Sequence, residues 1–123
     1  MKHSSSLALA IFAAVIILSP ALAAEPFGKW VRPSNGAQVT FYNCGGKLCG
    51  KVASKGASSA KVGTVIVSGA VKSGDNEWKG DLLNPDNGKT YSGVITLVGA
   101  DGLSLKGCAL GIFCEGETWR RVK

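Results

Sequence analysis

Histidine and methionine are almost absent from this 123-residue chain: His3 and Met1 are the only ones. Long apolar runs are equally scarce, and the one present is Leu7 to Leu18. It follows a short basic start, Met1-Lys2-His3, and precedes Ser19-Pro20-Ala21-Leu22-Ala23, with small residues at the −3 and −1 positions of a cut after Ala23. That arrangement reads as a secretory signal peptide over residues 1–23, with a cut after Ala24 as the near alternative. The run is too short and wrongly flanked for a membrane span. No cysteine stands at the cut, so a bacterial lipid anchor is not expected. The expected location is periplasmic or secreted, with no transmembrane segment left in the remaining 100 residues, 24–123.

Losing the leader removes the histidine. A chain without histidine cannot build a Ser-His-Asp or Cys-His site, a HExxH zinc site or a Cys₂His₂ finger. The expectation is therefore no catalytic residue, no metal, no cofactor and no enzyme. General acid–base work would fall to Asp, Glu, Lys or Tyr, and Glu115 with Glu117 is only a weak paired-carboxylate signal. A third absence is the 3.6-residue apolar period, which no segment beyond the leader sustains. No repeat and no linker is visible, so residues 24–123 are expected to form one domain. Lys2 also goes, leaving 13 cationic against 8 acidic side chains, a net +5. Such a balance suits anionic head groups, acidic polymers or plain solubility; no nucleic-acid partner is expected.

What the chain has in excess is glycine. All 17 lie beyond the leader, against about 7% in an average protein. Dispersed among Val, Thr and aromatics, they suit short strands with tight turns. Eight strands are expected: Gly28–Arg32, Ala37–Cys44, Leu48–Ala53, Val62–Val71, Glu77–Leu83, Lys89–Val98, Leu103–Cys108 and Cys114–Val122. Asn84-Pro85-Asp86-Asn87-Gly88 is the strongest turn signal between them. Eight short strands with tight connections predict an all-β, antiparallel, up-and-down barrel, closed to remove its edges and wide enough to be filled by side chains or to hold one small ligand. A monomer is expected.

Four cysteines in an exported chain read as two disulfides, with three possible connectivities. Spacing favours two local hairpin bridges. Cys44 and Cys49 would flank a four-residue turn and face one another, and Cys108 and Cys114 would flank Ala109 to Phe113. A zinc site from the same four residues is disfavoured by the oxidising compartment.

Gly28-Lys29-Trp30 and Trp119-Arg120-Arg121 resemble the two ends of a lipocalin-like barrel, where a basic residue on the last strand stacks over the tryptophan of the first. The resemblance implies that Trp30, Trp119 and Arg121 close the barrel. Tyr42-Asn43-Cys44-Gly45-Gly46-Lys47-Leu48-Cys49-Gly50, Trp78 to Tyr91, and Leu105 to Cys108 followed by Cys114 to Val122 are together similar to a bacterial envelope family known as domain of unknown function 2147. The chain departs from that family between Lys51 and Gly69, where many members carry an Asp/Asn-Pro-rich insert with an arginine.

Alternation puts Phe41, Trp78, Tyr91, Ile95 and Leu105 on inward faces, as core or as the wall of a ligand pocket. Gly80 and Gly93 on those faces are expected either to let the strands bend or to leave a shallow apolar recess. Ser54 to Lys61 would cover it, with Lys55 and Lys61 facing an anionic head group. The leading reading is a lipocalin-like protein binding a lipid or other amphiphile, such as a fatty acid or lysophospholipid. The alternative is a barrel that binds an envelope protein, for instance as a protease inhibitor. Glu117 and Arg121 would form an inward ion pair. Asp81, Asn84, Asp86 and Asn87 would serve their turn rather than hold calcium.

Overall fold

A computed structural model describes residues 24–109 and 113–123, and its strands form one closed barrel in sequence order. The expected signal peptide and the centre of the 109–113 turn lie outside the described residues. The strands are β1 (Gly28–Val31), β2 (Gln38–Cys44), β3 (Lys47–Ser54), β4 (Val65–Gly74), β5 (Glu77–Asn84), β6 (Lys89–Val98), β7 (Gly102–Ala109) and β8 (Phe113–Arg121). Every neighbouring pair is antiparallel. β1 closes the ring against β8, with Trp30 opposite Arg121 and Val31 opposite Arg120. The eight-stranded all-β barrel expected from the alternation is the fold of this chain.

One strand begins later than the alternation indicates. Val62 was expected to open β4 but is 67% exposed. Val52 closes a turn there instead: its N–H donates to the Thr64 carbonyl, and its own carbonyl accepts from Gly63. The ladder proper starts at Val65 and runs on to Gly74.

Both predicted disulfides are present, Cys44–Cys49 and Cys108–Cys114. The first differs in local geometry from expectation. Gly45 and Gly46 both have positive φ, 69° and 85°, the conformation a two-residue type I′ hairpin requires. The turn is therefore two residues long. Cys44 faces Lys47, Cys49 faces Tyr42, and the bridge runs diagonally across the ladder. Cys108 and Cys114 do stand directly opposite.

Strand direction divides the connections between two ends. The turns after β2, β4 and β6 lie at one end, the base, together with residues 24–27. The connections after β1, β3, β5 and β7 lie at the other, the mouth. Side chains fill the base and middle: Trp30, Phe41, Leu48, Val67, Ile95 and Leu103 are fully buried, with Leu97, Trp78 and Trp119 beside them.

A row of glycines crosses three strands above this core. Gly80 faces Gly93, and Gly93 faces Gly107. The expected gap at Gly80 and Gly93 is not there, because neighbouring side chains lean into it. A Cβ on Gly93 would stand 2.2 Å from Leu82 Cγ, and one on Gly80 would stand 2.9 Å from the Ala70 backbone. A methyl at Gly93 must therefore push Leu82 aside. Overpacking of this kind costs about 1–3 kcal/mol, more than the roughly 0.4–1 kcal/mol returned by stiffening the unfolded chain. Gly93→Ala is expected to lower stability in urea titrations, and Leu82→Ala in the same chain to recover part of the loss. An unchanged midpoint for Gly93→Ala would contradict the packing.

Candidate functional site

At the mouth, where side chains no longer meet across the axis, lies a recess of about 380 Å³. Alternation builds its wall: Val39 from β2, Val52 from β3, Ile66 from β4, Leu82 from β5, Tyr91 from β6, Leu105 from β7 and Trp119 from β8 all point inward and line it. Ala60 and Ser58 complete one side, brought there by the connection after β3. Polar groups gather at the rim: Arg32, Asn35, Asn84, Glu115 and Glu117.

Of the five residues that alternation nominated for a ligand wall, Tyr91 and Leu105 line the recess. Phe41, Trp78 and Ile95 lie below it in the packed core. They share the same inward parity, but parity gives no height along the axis. Ile95 is sealed between Trp78 and Leu105 on the flanking strands, and Phe41 meets the Trp119 ring edge-on at a 6.1 Å centroid separation.

The rim is held by one ion-pair network. Arg32 Nε donates to Glu117 Oε1 at 3.0 Å, and its Nη1 stands 3.7 Å from Asp86 Oδ2. The same Glu117 oxygen accepts from Ser34 Oγ and Trp119 Nε1, each at 3.1 Å. Sequence reasoning paired Glu117 with Arg121. The structure separates them: both point inward from β8, but Glu117 is at the mouth and Arg121 at the base. From sequence, Arg32 ends the first strand and carries no role, because its partners Glu117 and Asp86 are distant in sequence.

Asp86 also ties down the connection after β3. Its Oδ1 accepts from the Ser59 N–H and hydroxyl, each at 3.2 Å. Ala57 N–H donates to the Asn35 carbonyl. The Ser54–Lys61 segment lends Ser58 and Ala60 to the recess wall, while Lys55 and Lys61 are exposed and do not line it. Arg32 is the cation that does. In the turn after β5, Asn84 Oδ1 accepts from Asp86 N–H and Asn87 Oδ1 from Lys89 N–H. These amides shape the backbone, as turn-forming residues do.

The base is closed by a different set. The Arg121 guanidinium carbon lies 4.3 Å from the centre of the Trp30 ring. Its nitrogens donate to the carbonyls of Glu25, Phe27 and Ala100 at 2.7–2.9 Å. Trp30 Nε1 donates to the Pro26 carbonyl at 2.8 Å.

A family model described as an uncharacterized protein conserved in bacteria, domain of unknown function 2147, matches residues 28–121. The chain belongs to that family. The match runs from the first residue of β1 to the last of β8, so the family pattern is the barrel itself. Searches of curated proteins and of solved structures found no match. The Gly45-Gly46 hairpin and the Trp30–Arg121 closure belong to the base.

Proposed function

We propose that the protein is a non-enzymatic barrel, exported to an oxidising compartment, that holds a small apolar or amphiphilic envelope molecule in the recess at its mouth. The recess carries this reading: an apolar wall with polar groups confined to one rim, above a filled lower half. Small-molecule sites have this character and run to about 300–1,000 Å³, so 380 Å³ suits a small ligand or part of a chain. The leader-like residues 1–23 and two disulfides in so small a chain support export. The single histidine lies in that leader, which favours binding over catalysis.

Trp119 lines the recess and should report occupancy through its fluorescence. Titration with single-chain amphiphiles is expected to give a saturable change at roughly micromolar concentration, because a recess of this size buries only part of a chain. Ala60→Phe, which pushes a ring into the recess, should abolish the change while the barrel stays folded. No saturable change up to about millimolar ligand would overturn the reading in favour of a barrel that binds another protein.

A further inference from the structure

We infer that the occupant of the recess carries a cationic head: a single-chain amphiphile ending in an ammonium group. The inference rests on the recess being the binding site, and it follows from how the charges at the rim are already used.

Arg32, the cation of the rim, is spoken for on two sides, by Glu117 at 3.0 Å and by Asp86 at 3.7 Å. A carboxylate or phosphate head would have to displace one of these partners and then lie beside the other. The acidic groups are in excess. Glu117 uses Oε1 for all three of its hydrogen bonds, to Arg32, Ser34 and Trp119. None of these bonds involves Oε2.

Glu115 is two residues along β8 and lies on the same inner face. It lines the recess, is exposed, and forms no ion pair among the described residues. In the ladder, Glu117 faces Leu105 and Glu115 faces Gly107. The carboxylates therefore step outward from the apolar wall toward solvent. A chain packed against Leu105, Leu82 and Trp119 would deliver its head between them.

An ammonium is compact and strongly hydrated, with three donors and no acceptor. It gains from a half-exposed site with two carboxylates and has no need to break the Arg32 network. Lys55, Lys61 and Lys89 lie on the mouth connections or at a strand end, but all three are exposed and none lines the recess. Their fields are screened over about 8 Å at physiological salt, whereas Glu115 and Glu117 would be in contact with the head.

The test is displacement of the neutral probe N-phenyl-1-naphthylamine by decylammonium, decanol and decanoate, each below its micelle concentration. An exposed ion pair alters affinity by about 1.4- to 5-fold. With two attractive pairs on one side and two repulsive ones on the other, decylammonium is expected to bind about tenfold tighter than decanoate. Decanol should fall between, and the spread should shrink as salt rises. Glu115→Gln should narrow the gap by weakening decylammonium. Glu117→Gln, which retains the amide oxygen as acceptor for Trp119 and Ser34 but releases Arg32, should strengthen decanoate. Equal affinity for the three heads, or tighter decanoate in the unmodified protein, overturns the cationic head while leaving the recess as a binding site. Failure of the probe and all three ligands to bind overturns both.

Discussion

Trp30→Ala is expected to cost about 3–5 kcal/mol, as for a fully buried large aromatic. A loss of 1 kcal/mol shifts the melting temperature of a domain this size by about 4–8 °C, so the melting point should fall by more than about 10 °C. Trp30 is 0% exposed and sits where β1 meets β8. Its removal opens the ring at its joint, strips the Arg121 guanidinium of the surface it covers, and leaves the Pro26 carbonyl without its donor. Trp30→Phe keeps most of the buried area but loses that hydrogen bond, and should cost about 1 kcal/mol plus any packing defect. Arg121→Lys keeps the charge but cannot reach three carbonyls with a fixed fork. Calorimetric melting of the three variants checks the closure. If all melt within a degree or two of the parent protein, the joint is not where the barrel is held.

Phe41→Ala is expected to be comparably severe, about 3–5 kcal/mol, with a consequence at the mouth that Trp30→Ala lacks. The Phe41 ring fills the space above Gly50, where an added Cβ would come within 3.0 Å of it. It also supports the edge of Trp119. Removing the ring takes away part of the floor on which the recess rests. The variant should therefore bind longer chains than the parent while being less stable. Gly50→Ala made alone should be destabilising, and made with Phe41→Ala it should be tolerated, because the methyl then enters vacated space. Urea titration of the four proteins yields the coupling, and strict additivity would exclude the contact.

The base of the barrel was far more legible in the sequence than the mouth, for physical reasons. At the base, each feature is local or tied to strand parity. Gly45-Gly46 can satisfy a turn needing two positive φ angles, Trp30 sits on the first strand, and Arg121 shares the inward face of the last. At the mouth, the decisive contacts join side chains distant in sequence. Arg32 meets Glu117 across 85 positions, and Ser59 meets Asp86 across 27. Neither partner carries a pattern that nominates the other. Whether Phe41, Trp78 and Ile95 would be core or recess wall was left open by the sequence for a related reason. A period of two separates inside from outside, but height along the axis depends on shear between strands, which only the register supplies. At Gly80 and Gly93 the missing side chains were visible in the sequence, but the close approach of Leu82 and Ala70 was not.

The cysteines pair first with second and third with fourth. Were the chain exported N-terminus first, as proposed, Cys49 would arrive only 5 residues after Cys44, while Cys108 lags Cys49 by 59 positions. At about 5–20 residues per second, that lag amounts to roughly 3–12 s. During this interval the first thiol pair has no other cysteine in the chain to react with, and once joined it leaves the last two with only each other. Under that export route the order of arrival itself favours this pairing over the other two possible patterns.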